Sequence, residues 1–187
     1  MSSLLIISAV GVLLVVGILG VFLFKRRGER RLKVIEITEG PDLLAYWTYA
    51  PSEWKAVAEE FSWVNTKGAG GDVYITAAAI YLKSGSKDRL IDLVEDGKVV
   101  THASHRGTAD SPLKIRVRWK TIRRYEDRPD EVKYFKEDYR IPVPLKNVEE
   151  ARHVAEFFTK RLEDNLDAYT AVVPDDEPIS LFGKDSF

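Results

Sequence analysis

The stretch "LKIRVRWKTI" (residues 113–122) alternates without a slip as far as Lys120. Leu113, Ile115, Val117 and Trp119 take one side, and Lys114, Arg116, Arg118 and Lys120 take the other. Side chains along a strand point to opposite faces in turn, so a period of two marks a strand with one face buried and one face outward. Such strands belong to antiparallel sheets covered on one side only. The outer, basic face has two readings. It is a solvated face paired across to acids such as Glu137, or it is a basic patch for anionic headgroups or an acidic protein partner. The sequence leaves both open.

Strand-like runs surround this one: "KVIEIT" (33–38), "LLAYWTY" (43–49), "DVYITAAAIYL" (72–82), "RLIDLV" (89–94), "KVVTHAS" (98–104) and "VKYFKEDYRIPVPL" (132–145). Gly40-Pro41-Asp42 marks a turn, and Asp96-Gly97 predicts a type I′ hairpin between its two flanking strands. Pro142 and Pro144 confine the end of the last strand to an edge. The period changes twice. In "PSEWKAVAEEFSW" (51–63), Trp54, Val57, Ala58 and Phe61 fall on one helical face, with Ser52 as the expected N-cap. After Asn147, the expected cap of a box with Glu150, the residues Ala151, Val154, Ala155, Phe158, Leu162 and Leu166 form one stripe. About seven strands and two helices predict an α+β domain, mostly antiparallel, with helices against one face or end of the sheet.

Upstream, no charge occurs from Leu4 to Phe24, a run long enough as a helix to cross a bilayer's roughly 30 Å core. The start lacks the basic residues of a secretory signal, and no small-x-small cleavage site follows. Residues 1–24 are therefore expected to be a retained anchor and 25–33 a basic linker. Lys25, Arg26, Arg27, Arg30, Arg31 and Lys33 crowd this flank, opposed by Glu29 alone. Basic flanks stay cytoplasmic, so the N-terminus is expected outside and the domain of 34–172 inside, at the cell membrane. The same cations suit anionic lipid headgroups. Gly11, Gly17 and Gly20 lack GxxxG spacing, which favours a plain anchor.

Charge divides unevenly. Residues 1–38 carry six basic and two acidic groups, net +4, while 39–187 carry 22 and 27, net −5. A domain of that sign argues against nucleic acid. With no cysteine, thiolate metal sites, iron–sulfur clusters, disulfides and a cysteine nucleophile are excluded. His102 and His105 in "THASH" point apart on a strand and lack a third ligand, and His153 reads as a helix surface residue. In "TKGAGGDV" (66–73) the lysine precedes the glycines and a strand follows, so a connector is expected and not a phosphate loop. "EDRPDE" (126–131) lacks the ligand spacing of a calcium loop and is expected to tip a hairpin. The aromatics Tyr46, Trp47, Tyr49 and Trp54 suit core packing. The acidic segment 173–187 has no periodicity and reads as a tail. No catalytic residue, metal or cofactor is expected.

The order "DVYITAAAIYL…DRLIDL", basic strands, then "YRIPVP…NVEEARHVAEFF" resembles bacterial pleckstrin-homology-like domains, which often follow membrane helices. The resemblance covers roughly residues 33–165 and implies a bent seven-stranded barrel plugged by a C-terminal helix, with binding of proteins or lipids instead of catalysis. The early helix departs from the plain form of that fold. In layout the chain is also similar to the single-helix subunit of purple-bacterial reaction centres. The expectation is an anchored accessory or scaffold subunit that stabilises integral-membrane protein subunits, energy-transducing ones among them. The alternative is a tethered headgroup-binding or signalling module.

Overall fold

The computed structural model describes Val34, Thr38, Gly40 and residues 42–62, 68–108 and 111–174. The uncharged run 4–24 and its expected anchor, the six cations Lys25, Arg26, Arg27, Arg30, Arg31 and Lys33, and residues 175–187 lie outside that set. No helix among the described residues is long and apolar enough to cross a membrane. Val34 and Thr38 are helical, and the Thr38 hydroxyl donates to the Val34 carbonyl four residues back at 3.0 Å. Both described residues of the run 33–38 thus depart from the strand expected there. One hydroxyl-to-backbone bond at that spacing fits a helical turn and not an extended chain.

From Asp42 onward the chain forms one compact α+β unit with two antiparallel sheets. The first holds β1 (Leu43–Tyr49), β2 (Gly71–Thr76), β3 (Ala79–Ser84) and β4 (Lys87–Asp92) in sequence order. The second holds β5 (Val99–Ser104), β6 (Leu113–Arg123) and β7 (Glu131–Ile141). Helix α1 (Pro51–Glu60) joins β1 to β2, and α2 (Val148–Glu163) and α3 (Leu166–Thr170) follow β7. Leu113, Ile115 and Val117 are fully buried with Val154 and Phe158 of α2, as the alternation in β6 requires.

Four boundaries differ from the sequence reading. The run 72–82 is two strands, because the Thr76 hydroxyl accepts the N–H groups of Ala78 and Ala79 at 3.2 and 3.0 Å and folds the chain back. Asp96 and Gly97 do have left-handed φ values of 57° and 77°. They do not close a hairpin, since β4 and β5 lie in different sheets. Leu93 still donates to the Ala78 carbonyl at 2.8 Å, and the 3-10 turn at Glu95–Gly97 then diverts the chain. Helix α1 is capped at Ala50 and not Ser52: Pro51 occupies the first turn and the Glu53 carboxylate accepts the Ala50 N–H at 2.9 Å. The terminal stripe stops at Leu162. The chain bends after Glu163, Leu166 is exposed, and Tyr169 with Val172 and Val173 forms a satellite cluster around Leu162 instead.

Nor does the sheet pair close into a barrel. Among the described residues β1 pairs with β2 alone and β7 with β6 alone. Pro142 ends β7 without an N–H to offer, and the Tyr49 hydroxyl reaches its carbonyl where a ladder would need backbone.

Candidate interaction surface

Register assembles a larger basic face than β6 alone suggests. The β6–β7 ladder runs unbroken from Leu113↔Ile141 to Arg123↔Glu131. Directly opposed residues share a face, so Lys136, Asp138 and Arg140 join Lys114, Arg116, Arg118 and Lys120. Six cations and one acid occupy this outer face, net +5. At its far end the cross-strand pairs Ile122↔Val132 and Lys120↔Tyr134 add exposed apolar surface. Phe135 is also exposed, on the other face, stacked on Trp119 with centroids 5.4 Å apart.

The four cations first expected to form the patch stand in different states. Arg116 is largely committed: its Nε donates to Asp138 Oδ1 at 2.6 Å and a terminal nitrogen donates to Oδ2 at 3.2 Å. The acid expected across from it was Glu137, but register puts Asp138 on the basic face and turns Glu137 to the other. Arg118 is buried and sits opposite Lys136. Lys114 is half-buried, and desolvation, then the nearby Arg106 and Arg140, hold its ammonium below the ordinary lysine value against the pull of Asp138. Lys120 is exposed. Lys136 and Arg140 were missed because their alternation is diluted by "YFKEDY". Folding the segment about Asp127 places them opposite Arg118 and Lys114.

Other sequence candidates prove structural. The β6–β7 hairpin tip is 124–130, which takes in the run expected there, 126–131, except Glu131, the first residue of β7. Arg128 lies 3.7 Å over the Tyr125 ring, and Glu131 accepts from Tyr125 at 3.1 Å and pairs with Lys133 at 3.0 Å. Hydrogen bonds from Lys133, then Tyr125, hold the Glu131 carboxyl below the usual range. His105 pins a loop: its Nδ1 accepts the Gly107 N–H at 3.1 Å, which leaves Nε2 as the donor to the Ser111 carbonyl at 3.0 Å. His102 faces Ser104 at 3.1 Å. His153 is exposed on α2. No three His, Asp or Glu side chains among the described residues are placed to hold a metal ion.

Gly70 and Gly71 are not connector slack. A Cβ on Gly70 would lie 2.3 Å from the Tyr49 carbonyl oxygen, and one on Gly71 2.5 Å from the Trp54 ring. They are the close approach of β2 to β1 and α1. A groove of about 190 Å³ between the end of α2 and β5 is lined by Val99, Phe158, Leu162 and Arg161. Arg161 there already donates to the Ala77 carbonyl at 2.7 Å.

The chain matches no protein-family model, no curated protein and no solved structure.

Proposed function

We propose that the chain is a single-pass, membrane-anchored accessory subunit that stabilises an integral-membrane assembly from the cytoplasmic side, and that the outer face of β6–β7 is the surface it offers. The uncharged run 4–24 and the cations that follow it support the anchor and its orientation. One observation carries the choice of surface: a face of net +5 on a region of net −5. That field comes from placement and not from overall charge, and it suits an acidic partner. The reading is of a binding module.

Detergent extraction and affinity purification of the full chain test this. Stoichiometric membrane subunits are expected with the native chain and are expected to be lost with Lys120→Glu plus Lys136→Glu. Purification of the chain alone overturns the reading, and retention of partners by the variant overturns the choice of surface. A second reading is favoured by Ile122, Val132 and Tyr134 beside two exposed lysines, a composition found at lipid headgroups. It requires that the double charge reversal weaken contact with anionic nanodiscs in the absence of any protein partner.

A further inference from the structure

Strand β7 has a second surface besides its two faces, namely its free edge. The Arg140 N–H donates to the Glu60 side chain at 3.2 Å and not to β6. In an unbroken antiparallel ladder the direction of N–H and C=O groups alternates, so the even residues of β7 all point away from β6. Glu60, at the end of α1, thus caps the edge at Arg140. Among the described residues no strand pairs with the outward groups of Val132, Tyr134, Lys136 and Asp138.

We propose that this edge accepts an extended segment of a partner protein, carrying acidic and apolar residues together on each of its faces, as a fourth strand of the second sheet. Edges left open are ordinarily blunted, and Lys133 and Lys136 blunt this one against copies of itself, since a second copy presents the same +5 face. An acidic strand meets the opposite situation. Residues of the added strand on the even face would lie beside Val132, Tyr134 and Lys136, which asks for apolar groups near the first two and a carboxylate near the third. On the other face they would lie beside exposed Lys133 and Phe135. Backbone bonds supply affinity and the alternating side chains supply selection. The inference deepens the accessory-subunit reading by stating how a partner is held, and it rests on that reading only for where the partner comes from.

Residue-resolved hydrogen exchange on the full chain in neutral-lipid nanodiscs tests it, with a synthetic peptide containing Glu-Val-Val-Glu-Val, which in antiparallel register sets Glu beside Lys136 and Lys133 and Val beside Tyr134 and Val132, as the probe. In the free chain the amides of Val132, Tyr134, Lys136 and Asp138 should exchange fast and their odd neighbours slowly. Added peptide should slow the even set by about tenfold at a free concentration near ten times its Kd. A Lys and Val peptide should have no such effect. Tyr134→Pro removes one outward donor and no ladder bond, so it should abolish the protection. If that variant does not fold, Lys136→Glu should still weaken the response. No protection, or equal protection by the basic peptide, overturns the proposal. So does protection of the same amides by anionic nanodiscs without peptide, which would assign the edge to the bilayer. Membrane subunits that still co-purify with Tyr134→Pro and Lys136→Glu would sink the edge proposal and leave the accessory-subunit reading standing. Peptide protection of a chain that purifies alone would do the reverse.

Discussion

Single atoms decide several joints of this fold. The Glu150 Oε2 atom accepts both Trp47 Nε1 at 3.0 Å and Asn147 Nδ2 at 2.9 Å, tying β1 to the start of α2. The predicted capping box is thereby replaced, because the carboxylate that would reach back to the cap is taken by a fully buried indole. Glu150→Ala leaves that N–H unpaired, so chemical denaturation should show a loss of about 1–3 kcal/mol. Gly71→Ala drives a methyl into the Trp54 ring and should lose a comparable amount, about 1–3 kcal/mol, where Gly97→Ala meets open space and is opposed by φ alone. Three phenols set an alkaline limit. Burial, then Glu53, raises Tyr49, and burial, then Glu137, raises Tyr139. Desolvation, then Tyr46 and Asp72, pushes Tyr74 up to about 12. A phenol raised in the folded state stabilises it fully below the unfolded value of 10.0. As pH climbs past 10 the unfolded chain ionises first, and that stability drains away up to the folded pKa. Ultraviolet titration should find late-ionising tyrosines that become ordinary in denaturant, and the unfolding midpoint should fall from about pH 10 upward.

At the scale of elements, what could be read in the sequence followed from burial period. β6 and the α2 stripe through Phe158 are where apolar residues at one spacing meet one core, and both emerge as expected. The breaks were hidden because side chains make them. Thr76 turns a hairpin that carries no glycine or asparagine, and Asp96-Gly97 supplies left-handed backbone while the chain changes sheet. The basic patch was half readable: alternation in β6 shows it, but its partners on β7 need a register that Tyr134, Phe135 and Tyr139 obscure. α2 divides the core-forming residues from those outside it, and two substitutions should separate them. Phe158 is 2% exposed and packs among β5 and β6 residues, so Phe158→Ala should lose about 3–5 kcal/mol in a thermal or denaturant melt. Leu166, past the bend, is 43% exposed, and Leu166→Ala should stay within about 0.5 kcal/mol. Equal losses at both positions would mean that the stripe runs on through the bend.

Across the whole molecule, charge placement gives the proposed orientation a quantitative shape. The first 38 residues carry +4 and the remainder −5, so a cytoplasmic leaflet of negative surface potential attracts the linker and repels the average of the folded part. The β6–β7 outer face is a local exception to that repulsion, and the proposed partners require it on the cytoplasmic side. Orientation is therefore the assumption whose failure would remove most. The absence of cysteine makes it directly testable, because one introduced thiol reports one position. Ser86 sits exposed in the β3–β4 turn with no core contact, so Ser86→Cys should leave the fold intact. In intact cells a membrane-impermeant maleimide should fail to label it, and permeabilisation should make it react fully. As a mirror control, Ser3→Cys near the N-terminus should label without permeabilisation. Labelling of Ser86→Cys in intact cells would put the folded unit outside and deprive the basic face of the cytoplasmic partners proposed for it. Failure of both thiols to label until lysis, with the chain soluble after carbonate extraction, would remove the anchor itself while leaving the β7 edge to be judged on its exchange alone.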